Sequence, residues 1–245
     1  MCPKPNAGAR ARLFCLPFAG SGASIYHGWP QAFPRDVEIR AVQLPGHESR
    51  TREPRISSAS ILAREIVGAL GPYMDRPFAL LGYSMGALLA FEVARELRRQ
   101  GYPLPVGLFV AAMCAPQAPK VHPPLSYLPR EEFVEQIRYY YQPADEAWNH
   151  PEFLEMFLPI LRDDIAIVDT YDYENEPPLA CPIDVYVGTD DRGTPLAAAE
   201  AWRHQTSAEF ELAVFPGGHF FLHEALPQLQ LRVRNRINRL IGERN

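Results

Sequence analysis

The sequence predicts an α/β fold, with one mostly parallel central sheet and helices packed on both of its faces. Three observations predict it. Six short runs are almost continuously apolar, as strands covered on both sides tend to be. Helical patterns fall between those runs. One serine, Ser84, stands between two glycines where an apolar run gives way to a helix.

The first strand is RLFCLPF (12–18), running into a glycine-rich loop, LPFAGSGAS (16–24), and the second is EIRAVQL (38–44). A helix is predicted over 57–70, capped by Ser57 or Ser58, with Ile61, Leu62, Ile66, Val67 and Leu70 as its buried stripe. FALLGY (78–83) is the third strand, and the helix beyond Ser84 is expected to end at Gly101, a favourable residue just past a helix. LFVAAMC (108–114), IDVYVG (183–188) and FELAVFP (210–216) complete the sheet. TPLAAAEAWRHQ offers Thr194 as a cap and Pro195 at the first helical position.

Residues 120 to about 176 break this rhythm with two helical patterns, PREEFVEQIRYYYQ and HPEFLEMFLPILRDDIAIVDTYDY, and no strand. Six of the 11 tyrosines fall there. A helical insertion with a small core of its own fits this segment. A lid whose aromatic side chains line a pocket over the sheet fits it too. There is no internal repeat, so the expectation is one domain over 1–245 with an insertion at about 120–176.

With 47% hydrophobic and 22% charged residues among 245, the chain can bury a full core. A net charge of −5 argues against a nucleic-acid reader, which ordinarily carries a basic face. Cys2, Cys15, Cys114 and Cys181 form no C-x-x-C pair, which suits free thiols in a reducing compartment better than a disulfide framework. The first residues lack the order of a signal peptide, and no apolar stretch is long enough to cross a bilayer. A soluble, cytoplasmic protein is expected.

Gly82-Tyr83-Ser84-Met85-Gly86 matches G-x-S-x-G, a strained strand-to-helix turn that lifts a serine hydroxyl above a sheet. Side chains two residues to either side would collide with neighbouring backbone. A serine needs a base, and the base needs an orienting carboxylate, in the chain order Ser, Asp or Glu, His. Of seven histidines, His219 alone stands in a glycine turn directly after a late strand, FELAVFPGGHFFL. His223 follows four residues later, but H-x-x-x-H without the central Glu or a third ligand gives no metal site. The carboxylate should follow IDVYVG, where Asp190 and Asp191 are both available. The backbone N–H of Met85 and that of Ala19, in the early glycine loop, are candidates to hold an oxyanion. That loop lacks the third glycine of a dinucleotide fingerprint, having Ile25 there, and the second strand ends in Leu44 without an acidic residue.

Together these residues resemble the α/β-hydrolase fold, and more narrowly the type II thioesterases of non-ribosomal peptide and polyketide synthesis. The resemblance spans nearly the whole chain: LFCLPFAGSGASIYHGW, VQLPGHESR, LGYSMGALLAFEVARELR, LPREEFVEQI, LPILRDDIAIVDTYDY, CPIDVYVGTDD and FPGGHFFL. The family's acid follows a G-x-x-D pattern, which here runs Gly188 to Asp191 and implies that Asp191 has that role. Three departures stand out. Tyr83 replaces the common His before the serine, altering a pocket wall. MCAPQAP lacks a basic residue often found after its strand. Arg192-Gly193-Thr194-Pro195 differs from the usual D-x-x-V.

The resemblance implies hydrolysis of acyl or aminoacyl thioesters on the phosphopantetheine arm of carrier proteins, with no cofactor beyond the arm on the substrate. Tyr83, Tyr139, Tyr140 and Phe157 are the candidate pocket residues. An esterase or lactonase acting on a free small molecule, an acyltransferase, and a non-catalytic carrier-binding module are the alternatives.

Overall fold

The computed structural model describes residues 5–143 and 146–242. Cys2 lies outside them. Six strands, β1 (Ala11–Leu16), β2 (Val37–Ala41), β3 (Phe78–Tyr83), β4 (Leu108–Ala111), β5 (Ile183–Gly188) and β6 (Phe210–Phe215), form one sheet in the order β2-β1-β3-β4-β5-β6. Every pairing is parallel. Each strand coincides with an apolar run, although β4 stops three residues short of the predicted end, where Ala112 turns to a φ of 52°.

Alternate side chains of each strand enter two cores. On one face Phe14 and Leu16 of β1 pack with α1 (Ala59–Leu70) and α2 (Met85–Arg99). On the other, Leu13 and Cys15 pack with Tyr26, Trp29 and the final helix, α6 (Leu222–Gly242). β1, β3 and β5 are buried along their whole length, which is why their sequences do not alternate. At the edge, β6 does alternate in part.

The helices follow the sequence with two corrections. In α1, Leu62, Ile66, Val67 and Leu70 are buried with Ala59 and Ala63, but Ile61 is 43% exposed. A stripe centred on 59, 62, 66 and 70 leaves residue 61 facing outward. Thr194 is not a helix cap: α5 (Leu196–Glu200) begins after Pro195, and Thr194 is buried in a turn wrapped around the carboxylate of Asp191. α2 ends as its sequence predicts. Gly101 takes a φ of 71°, its N–H reaches the carbonyl of Arg98, and the N–H of Tyr102 reaches that of Leu97, closing the helix.

Between β4 and β5 lie α3 (Arg130–Tyr141) and α4 (Pro151–Asp169). Phe133 and Ile137 of α3 pack with Trp148 and with Leu158, Leu161 and Ile165 of α4 in a separate small core. These two helices stand over the carboxyl ends of the strands, where ligands of parallel sheets are bound. No helix among the described residues is long and apolar enough to cross a membrane.

Candidate active site

Ser84 follows β3 directly and adopts φ 53°, ψ −123°, a conformation costly for any residue with a Cβ. The surrounding backbone enforces it. The Ser84 N–H donates to the carbonyl of Ala111 (2.8 Å), and its own carbonyl accepts the N–H of Ala87 (2.8 Å). The flanking glycines are sterically required. A Cβ on Gly82 would lie 2.1 Å from the carbonyl oxygen of Gly86, and one on Gly86 would lie 2.3 Å from that of Leu16. β3, α2 and the end of β1 therefore meet too closely for side chains, and the serine is pressed out above the sheet.

Two other strand ends bring the remaining groups. His219 Nε2 lies 3.0 Å from Ser84 Oγ, and its Nδ1 lies 3.1 and 3.0 Å from the two carboxylate oxygens of Asp191. The Asp191 side chain is 0% exposed. Its Oδ1 accepts the N–H groups of Gly193 (2.9 Å) and Thr194 (3.1 Å), so Arg192-Gly193-Thr194-Pro195, in place of D-x-x-V, forms a turn that grips the carboxylate. Asp190 points outward and its Oδ2 accepts the hydroxyl of Thr189. The loops are locked together: a Cβ on Gly188 would lie 2.4 Å from the carbonyl oxygen of Gly218.

Nδ1–H donating to the carboxylate leaves Nε2 with its lone pair toward Ser84, whose hydroxyl donates to it. That is the arrangement in which an alcohol can lose its proton as it attacks. Ala19 lies beside Ser84 in the loop after β1. Met85 is the first residue of α2, where backbone N–H groups have no intrahelical acceptor. Gly20 takes a φ of 79°, and its N–H donates to Asp164 Oδ2 (2.7 Å).

Two cavities meet at Ser84 and His219, both bordered by Ala19, Tyr141 and Ile165. One, of about 220 Å³, lies under α3 and α4 and is walled by Phe18, Ile137, Trp148, Phe153, Phe157 and Leu161. The other, of about 110 Å³, runs between Leu88, the segment after β4 and Asp169. Cys114 lines it, but burial first, and the charge of Asp191 second, push its thiol up to about 12, so it stays protonated.

Of the expected pocket residues, Phe157 lines the larger cavity and packs against Phe153 at 4.9 Å between ring centroids. The other three are placed elsewhere. Tyr83 is buried beneath the His219 loop, and its hydroxyl donates to the His219 carbonyl oxygen at 2.5 Å. Tyr139 is 53% exposed beside Arg192, and Tyr140 packs on His122, and neither lines either of these two cavities. Tyr141 does so instead. Its ring centroid lies 4.7 Å from that of His219, and its hydroxyl is 2.8 Å from His122 Nε2. Burial holds its phenol well above the usual range, hence neutral. The helical spacing of Phe133, Ile137 and Tyr141 marks the inward face of α3 and carries the signal that singles out the last of the three tyrosines.

The thioesterase domain family matches residues 11–236. The gramicidin S biosynthesis protein GrsT of Aneurinibacillus migulanus is 38% identical over 220 residues, covering 90% of this chain and 86% of that protein. Among solved structures, the RedJ thioesterase of the prodiginine pathway of Streptomyces coelicolor superposes with a TM-score of 0.88 at 34% identity, covering 95% of this chain and 93% of that one. The type II thioesterase BorB of the borrelidin biosynthetic cluster superposes with a TM-score of 0.87 at 33% identity, covering 98% and 96%.

Proposed function

Because this chain belongs to the thioesterase domain family, we propose that it clears acyl or aminoacyl groups from the phosphopantetheine arms of carrier proteins. It is a thioester hydrolase, a type II thioesterase of non-ribosomal peptide or polyketide synthesis. The observation that carries the reading is the unbroken line from Ser84 Oγ through His219 to Asp191, with each link near 3 Å.

Ser84 Oγ attacks the thioester carbonyl carbon while His219 Nε2 takes the hydroxyl proton. Asp191 steadies the imidazolium. The carbonyl oxygen becomes an oxyanion and rests on the N–H groups of Ala19 and Met85. The C–S bond then breaks, and the sulfur leaves as a thiol with the proton from His219. Water, deprotonated by the same imidazole, next attacks the acyl-serine and releases a carboxylic acid, returning the serine its proton. A thiolate leaves readily, so the oxyanion site and the base do most of the work.

The two cavities suit a substrate with two limbs. The aromatic chamber takes the acyl group, with Phe157 and Tyr141 as walls, and the narrower one takes the arm. The helices at about 120–176 act as a lid on a single domain. No cofactor is needed beyond the arm, and the partner is a carrier-protein domain rather than nucleic acid or membrane. The buried thiol of Cys15, which is in no disulfide, fits a cytoplasmic setting.

The test compares release of an acyl group from a loaded carrier protein with cleavage of the matching small oxyester. The carrier thioester is expected to turn over faster, and Ser84→Ala to abolish release while remaining folded. Preference for the oxyester with no carrier turnover would replace this reading with that of an esterase or lactonase.

A further inference from the structure

The segment LPGHESR takes no part in the chemistry above, yet its histidine is deeply buried, at 4% exposure, against Asp164 of α4 at 2%. His47 Nε2 lies 2.9 Å from Asp164 Oδ2, and Nδ1 lies 2.9 Å from the carbonyl oxygen of Pro45. A carbonyl and a carboxylate are both acceptors. A neutral imidazole has a single N–H and could satisfy only one of them, whereas two donors require the imidazolium. The same Oδ2 accepts the N–H of Gly20 at 2.7 Å. The peptide it grips is the one that joins Gly20 to Ala19.

We propose that His47 works as a cation, and that the His47–Asp164 pair is the positioning device of the oxyanion loop. The imidazolium lets a buried carboxylate stay charged on α4, and that carboxylate fixes the peptide joining Ala19 to Gly20. The Ala19 N–H lies in the peptide just before, so fixing the Ala19–Gly20 peptide limits how Ala19 can rotate and sets that N–H from the helix covering the site. A buried carboxylate that loses its counter-charge is strongly unfavourable, so loss of the His47 proton loosens the loop. Burial alone would pull the His47 pKa down. The hydrogen bond and charge of Asp164 outweigh it, and the net shift is upward.

The other charges nearby leave that balance intact. Arg55, before α1, opposes protonation but is itself paired with Asp163. In His47's own turn, Glu48 is held by the N–H and hydroxyl of Ser24, and Arg50 by Glu53. With the folded pKa raised, the brace is complete below the ordinary histidine value and is lost as pH rises through the folded one.

The role in turnover rests on the thioesterase reading, whereas the charge on His47 does not, and the experiment separates them. With an acyl N-acetylcysteamine thioester as substrate, kcat and KM are measured from pH 6 to 9 for the wild type and His47→Gln. Glutamine can donate to Asp164 but never carries charge. The wild type is expected to lose about tenfold in kcat on the alkaline side with KM within twofold, a fraction of what removing an oxyanion donor costs. His47→Gln should sit near the lower level throughout, with no such limb. A variant matching wild-type kcat across the range would overturn the proposal.

NMR of histidine-labelled wild-type protein decides the charge even if the variant does not fold. Both His47 ring nitrogens should carry protons at neutral pH, and a neutral ring there would refute the brace. Absence of wild-type turnover on any thioester would count against the enzyme reading alone.

Discussion

Asp191→Asn removes one charge and almost no volume, and the hydrogen bonds around the site dictate its effect. In the native turn Oδ1 takes both backbone donors, from Gly193 and Thr194, and sits 3.1 Å from His219 Nδ1, while Oδ2 faces the same nitrogen at 3.0 Å. An asparagine must keep its carbonyl oxygen on those two N–H groups, because turning its amide over would set donors against donors. The NH₂ group is then aimed at Nδ1 and forces the imidazole to carry its proton on Nε2. That nitrogen would face Ser84 as a donor, unable to receive the hydroxyl proton. A serine hydrolase trapped in this tautomer loses about 10⁴ in kcat, roughly 5 kcal/mol of transition-state stabilisation. Asp190→Asn, at an exposed position outside this network, should stay within about twofold, the scale of a surface change. Steady-state hydrolysis of an acyl-carrier thioester, with melting curves to show both variants folded, measures the pair. Near-native turnover by Asp191→Asn, or an equal collapse in Asp190→Asn, would mean that Asp191 does not hold the imidazole in its working tautomer.

Two further outcomes are expected. Tyr83→Phe leaves the buried His219 carbonyl without its donor, which should cost about 1–3 kcal/mol of stability and lower kcat about tenfold by letting the imidazole drift; a lower melting temperature with unchanged kcat would make Tyr83 purely structural. Phe157→Ala enlarges the chamber under α4, so turnover of a long acyl chain relative to acetyl should rise about fourfold to fifteenfold, the worth of one or two buried methylenes at about 0.8 kcal/mol each; an unchanged ratio would show that the chain does not lie there.

The six strands are legible in the sequence because burial on both faces leaves continuous apolar runs, a signal independent of distant partners. Ser84 and His219 are legible for a local reason as well, since the glycines that force each turn lie within two residues of the group presented. The choice between Asp190 and Asp191 is not local. Both follow the same strand, and burial of the second depends on donors that the turn supplies only once folded. Among the three tyrosines of YYY aromaticity favours none, so the choice of 139 and 140 has no local support, and the helical face shared with Ile137 selects Tyr141. Tyr83 reads as a pocket wall from its place before the serine. Its hydroxyl instead meets a carbonyl 136 residues away. The His47–Asp164 brace joins segments 117 residues apart, and no spacing within either segment announces it.

The central claim is that one hydroxyl, made nucleophilic by its neighbours, carries the acyl group between thiol and water. Its most direct test is to trap that intermediate with a slowly released acyl thioester or a fluorophosphonate and to locate the adduct by peptide mass mapping. One adduct per chain on Ser84 is expected, absent in both Ser84→Ala and His219→Ala. An adduct on another residue such as Cys114, or undiminished thioester hydrolysis by Ser84→Ala, would contradict the account.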